Sequence, residues 1–117
     1  MTAVLALLAL GETPQTVRYR THASEAVGAF LARYPFLIPL LTEALEPLGE
    51  AFGTDTPLIV AVETDPEVAG WEELRVDVET TLPVDEADRR LEVFDTTWWL
   101  ANLPRAQGKL FFTLTFV

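Results

Sequence analysis

The chain has 117 residues, half of them hydrophobic, with 18 acidic and 8 basic side chains and a net charge of −10. That length fits one domain, and a chain this size buries roughly two-thirds of its unfolded surface without a metal or disulfide staple. The absence of cysteine excludes disulfides, thiolate catalysis and Cys-based zinc sites, and the negative charge disfavours nucleic acid and anionic membranes while attracting a basic protein partner.

Residues 1–22 read as an arm apart from a domain over 23–117. The opening "MTAVLALLAL" is too short for a bilayer, which takes about 20 residues, and lacks the basic start of a signal peptide. A cytoplasmic protein without a membrane span is the expectation. Val4–Leu10 is left open between strand, helix turn and loose arm. Gly11 and Pro14 then punctuate the chain. Ser24 is placed to cap a helix, with Glu25 in its first turn. Val27, Phe30, Leu31 and Tyr34 recur at helical spacing, and Pro35 ends the run. A second helix follows through Leu37, Leu40, Leu41, Ala44, Leu45 and Leu48. Pro47 is expected to kink or stop it.

Two strands come next. "PLIVAVETD" is apolar on both faces, whereas "LRVDVETTL" alternates. Leu74, Val76, Val78 and Thr80 then point inward, with Arg75, Asp77 and Glu79 outward. Pro66 and Gly70 mark a hairpin loop. A helix from about Pro83 to Asn102 carries the stripe Val84, Ala87, Leu91, Phe94 and Trp98. A last strand follows in "KLFFTLTFV". The pattern predicts an α+β two-layer sandwich with a ββαβ core behind two N-terminal helices. The first strand of that core is apolar on both faces, as a central strand should be. The expected sheet is therefore three-stranded and antiparallel, in the order 2-1-3, with helices on one face.

The pair Trp98–Trp99 sets a constraint. At about 100° per residue the stripe spans about 80°, so Trp98 faces the sheet and Trp99 lies at the margin. Trp99 is then either a lid over the core edge or an anchor in a protein interface, where Trp is enriched. Val93 and Leu100 form a second apolar line on the same helix. With Leu103 and Trp99 they make a candidate partner or dimer patch.

The segments "VETDPEV" (62–68), "TTLPVDEADRRLEVFDTTWWLANLPRAQGKL" (80–110) and the terminal "FV" resemble a family of small bacterial proteins of cyanobacterial type. Its shared pattern is "FD..WWL…G.L…FV". The family has no established activity, and the resemblance implies an accessory or antitoxin-like, protein-binding role. Where the family carries acids after "FD", this chain has Thr96 and Thr97, which puts any role for acids there in doubt.

Catalytic signals are thin. His22 is the only histidine, and no Gly-rich phosphate loop occurs. "RYRTH" (18–22) interleaves bases with an aromatic, as nucleic-acid arms do, but stands against the overall charge. No cofactor and no metal site is expected. "ETDPEVAG" lacks the spacing of a calcium loop. If helices cover one side of the sheet, Ile59, Ala61, Phe111, Thr113 and Val117 share the other with acids. An apolar centre in a charged rim suits an interface, covered by the N-terminal segment, a second copy or a partner. The leading reading is a non-enzymatic binding protein engaging a basic partner or itself through Trp99, Leu100, Val93, Asp77 and Glu79. The alternative is a small-ligand, metal or enzyme domain using Glu63, Asp77 and Glu79.

Overall fold

A computed structural model describes residues 19–117. In chain order these form β1 (Tyr19–Thr21), α1 (Ser24–Arg33), α2 (Leu37–Phe52), β2 (Leu58–Thr64), β3 (Glu72–Thr80), α3 (Val84–Phe94), a π turn (Asp95–Trp99), α4 (Leu100–Ala106) and β4 (Leu110–Phe116). The backbone stays helical across both joints of the π turn, at Asp95 and Leu100. Residues 84–106 are thus one long helix, the third in an α+β fold.

The sheet is four-stranded and mixed, in the order β1-β2-β3-β4. This overturns the three-stranded antiparallel arrangement. β2 and β3 form the expected hairpin, but β4 lies parallel to β3, pairing Leu74 with Leu110 through Thr80 with Phe116. The slot beside β2 is taken by β1, parallel, with Tyr19 opposite Leu58. The physical reason is that, among the described residues, helices pack on one face of the sheet only. In a two-layer sheet a central strand needs only one buried face, so the clean alternation of β3 does not mark it as an edge.

The "RYRTH" segment is correspondingly no solvated arm after Arg18. Tyr19 is buried in the core, and its hydroxyl donates to the Leu41 carbonyl at 2.7 Å. The His22 N–H donates to the Val60 carbonyl at 2.8 Å, continuing the β1–β2 pairing by one residue. Val4–Leu10 lies outside the described residues.

The two helices expected at the N-terminal end lie instead behind β1, as a crossover between the parallel strands β1 and β2, and their ends also differ. Ala23, in the left-handed region at φ 56°, takes the N-cap position in place of Ser24. Pro47 is carried inside α2, which runs on to Phe52. Leu40, Leu41, Ala44, Leu45 and Leu48 are buried against Leu58, Val60, Leu74, Val76 and Val78 of the sheet.

The long helix departs from the predicted phase. Trp99, not Trp98, is buried, at 7% exposure. Its ring meets Phe112 edge-on at 4.8 Å, beside the Phe94–Phe112 contact at 5.0 Å. Within the π turn the Leu100 N–H reaches back five residues to the Asp95 carbonyl. One extra residue per turn delays everything downstream by about 100°. Trp99 therefore occupies the angular position that a regular helix gives Trp98. Ala106 is buried for the same reason. Thr96 Oγ1 donates to the Glu92 carbonyl at 2.9 Å and Thr97 Oγ1 to the Val93 carbonyl at 2.6 Å. Such back-bonding competes with the backbone ladder and accompanies the turn. Pro104 is tolerated within α4, and the rod stops at Gln107 and Gly108, both at positive φ. Among the described residues no helix is long and apolar enough to cross a membrane.

Candidate functional site

α2 and the long helix run side by side in opposite senses. Arg90 Nη1 donates to the Ala51 carbonyl at 3.3 Å near one end, and Arg105 makes a two-pronged contact with Glu43 at 2.9 and 3.0 Å near the other. Between these ties lies an open groove of about 410 Å³. Thr42, Glu43, Leu45, Glu46 and Pro47 line it from α2, and Trp98 lines it from the long helix.

The π turn makes this groove aromatic. With Trp99 committed to the core, Trp98 is left half-buried, stacked on Trp99 at 6.0 Å and tilted against Phe94 at 5.7 Å. Its position is fixed further by Asn102, whose Nδ2 donates to the Trp98 carbonyl at 2.8 Å. Asn102 Oδ1 in turn accepts from Arg105 at 2.9 Å. A chain of polar contacts thus runs from Trp98 through Asn102 and Arg105 to Glu43. The Arg105 hydrogen bond holds the Glu43 carboxyl below its ordinary pKa. Glu46 is exposed in the same groove, with no ion-pair partner among the described residues. Glu50, one turn on, is exposed too. Pro47 has no N–H, so the Glu43 carbonyl lacks its regular helical donor.

The structure separates the residues that the sequence analysis had grouped. Trp99 is buried and is not available to a partner. Val93 and Leu100 are exposed, at 48% and 56%, but the π turn breaks the line they were expected to form. Val93 lies about 60° round from Arg90, on the outer rim towards α2. Leu100 lies about 140° round from Arg105 and faces away from α2.

Asp77, Glu79 and Glu63 do stand on the outer sheet face as expected, with Ile59, Ala61 and Phe111. Two of the three are engaged. Arg75 is clamped between Glu63, which accepts from Nη1, and Asp77, whose Oδ1 lies 2.9 Å from Nε. That second contact is an ion pair whose N–H is not aimed along it. Burial opposes charge on Arg75, but its hydrogen bond to Glu63 and the field of Asp77 outweigh it and raise its pKa. Burial pushes Glu73 up, against the pull of Lys109, with Glu63 opposite adding to the rise. This face is an ion-pair cluster around an apolar centre. Among the described residues no group of three acids or histidines could hold a metal ion.

Glu79 belongs instead to a second cleft, of about 630 Å³, where β3 and β4 end and the long helix begins. Asp55, Thr80, Thr81 and Arg90 also line it. Arg90 is already held there by Glu86 at 2.8 Å, which lowers the Glu86 pKa.

Sequence reasoning missed Trp98 as the less buried member of the pair, and it missed Glu43, Glu46 and Arg105. The acids at 43, 46 and 50 do carry a signal, since their spacing puts them on one face of α2. Nothing in the sequence linked that face to Trp98. No protein-family model matches the chain, and neither a curated protein nor a solved structure matches it significantly.

Proposed function

We propose that this chain is a non-enzymatic, cytoplasmic protein-binding factor of the accessory or antitoxin-like type. It engages a basic segment of a partner in the groove between α2 and the long helix. The observation that carries the reading is the half-buried indole of Trp98 beside the carboxylate of Glu46, which has no ion-pair partner among the described residues, in a groove whose end is fixed by Arg105 and Glu43. A Lys or Arg side chain laid on the indole gains a cation–π contact of about 0.5–2 kcal/mol. The neighbouring carboxylates supply charge and hydrogen-bond acceptors. The overall charge of −10 steers a basic partner towards this surface and speeds association at low salt. The test is a titration with an Arg-rich helical peptide, read by tryptophan fluorescence. Saturable binding that weakens on Glu46→Lys and on Trp98→Phe supports the reading. Equal response from a Gln-for-Arg control peptide contradicts it.

A small-ligand reading rests on the second cleft. Open sheets bind ligands beyond the carboxyl ends of parallel strands, and β3 and β4 end there. A ligand that raises the melting temperature of the wild type but not of Glu79→Ala would favour it.

A further inference from the structure

Among the described residues β4 is an edge strand with an open side. The Leu74 N–H donates to the Lys109 carbonyl and the Val117 N–H to the Thr80 carbonyl. With the parallel register, these bonds turn the backbone groups of residues 109, 111, 113, 115 and 117 towards β3. The N–H and C=O groups of Leu110, Phe112, Leu114 and Phe116 point away, towards the free edge. Natural edges are blunted by Lys, Pro, bulges or covering elements. The run "LFFTLTF" of β4 has no charge and no Pro, and the opposite edge is the one that carries the short β1.

We propose that two copies of this chain pair antiparallel through β4, giving one continuous eight-stranded sheet with the twofold axis at Thr113. The strand is complementary to itself in that register. Leu110 meets the partner's Phe116, and Phe112 meets the partner's Leu114. These are hydrogen-bonded pairs that use all four outward N–H groups and all four outward C=O groups of each strand. Phe111 meets the partner's Thr115 on the outer face, and Thr113 meets its own counterpart. Phe116, 46% exposed in the single chain, is covered by the partner's Leu110. The interface is isologous and closed.

A second observation points to the same edge. Leu100 and Leu103, both exposed, project from the long helix on the side away from α2. That helix sits on Phe112 through Phe94 and Trp99. Strand spacing of about 4.8 Å leaves a helix above the β3–β4 pair roughly 10 Å from its twofold mate, which is helix-packing distance. The two leucines therefore extend the strand contact, which alone falls short of the roughly 800 Å² per partner of stable dimers. The same side of the helix also carries Asp88, Glu92 and Asp95. Their repulsion across the axis makes the dimer tighten with added salt.

Light scattering of the full chain during gel filtration is expected to give twice the 13.0 kDa chain mass. Thr113→Lys sets two like charges directly opposite at the axis, yet within each chain it lies beside Asp77. It is expected to weaken association by at least tenfold with no loss of melting temperature at low concentration. Since the chain has no cysteine, Thr113→Cys should form a disulfide with its counterpart under mild oxidant. The Cα atoms there are about 4.5 Å apart, within disulfide range. Thr115→Cys should form none. A monomer at 100 μM, a Thr113→Lys protein that remains dimeric, or cross-linking at 115 in place of 113 would each overturn the proposal.

Discussion

Replacing each tryptophan by alanine separates a π turn from a regular helix. Trp99 is buried, and a tryptophan buries about 200 Å². At about 25 cal/mol per Å² that burial is worth about 5 kcal/mol, an upper bound because the denatured chain already hides part of it. Measured aromatic-to-alanine costs in cores run about 3–5 kcal/mol, so Trp99→Ala is expected to lose about 4 kcal/mol. Total stabilities of domains are about 5–15 kcal/mol, so this variant is marginal. Trp98 keeps one flank in the groove, and Trp98→Ala is expected to lose less, about 2–3 kcal/mol by the same area argument. Urea unfolding followed by circular dichroism measures both, with slopes checked for two-state behaviour. Equal losses, or the larger loss at Trp98, would refute the phase shift and restore the regular helix expected from the stripe.

Deleting Thr96 should be tolerated, because it removes the extra residue of the π turn and places Trp99 four residues after Phe94, still on the sheet. Deleting Ala101 shifts Ala106 off the core and should unfold the chain or lower its melting temperature far more, as a thermal scan of both would show. Burial, and secondarily Glu92, raise the Asp95 carboxyl above its ordinary value of 3.8. The charged form therefore costs stability at neutral pH. Asp95→Asn should raise the melting temperature at pH 7, with the gain shrinking as pH falls through the raised pKa and gone below 3.8. Arg75→Ala strands Glu63 and Asp77 without their cation, and should cost about 1–3 kcal/mol in urea unfolding. Arg75→Ala with Asp77→Ala should recover part of that loss.

Local signals carried most of the secondary structure. Apolar spacing found α1, α2 and the long helix, a run apolar on both faces found β2, and alternation found β3 and β4. Two things lay beyond them. The strand order depended on β1, three residues whose only apolar anchor is Tyr19, and on how many faces of the sheet are covered. Neither is written into any one strand. The roles of Trp98 and Trp99 depended on one extra residue in a helical turn. Thr96 and Thr97 hint at it through their reach to backbone carbonyls, but a fixed 100° period cannot register it. The groove joins α2 to a residue displaced by that turn, so the candidate site was illegible for the same reason. The outer sheet face was read correctly as mixed apolar and acidic, while the clamp of Arg75 by Glu63 and Asp77 needed the strand register.

The binding reading is tested most directly by affinity capture from lysate of the source cells. Wild type, Glu46→Lys and Trp98→Phe would be run in parallel, and any captured protein purified and titrated back. The account predicts a partner with a basic segment that binds the wild type and loses at least tenfold in affinity with either variant. A partner that binds all three equally, or binding that survives only through the outer sheet face, would contradict it.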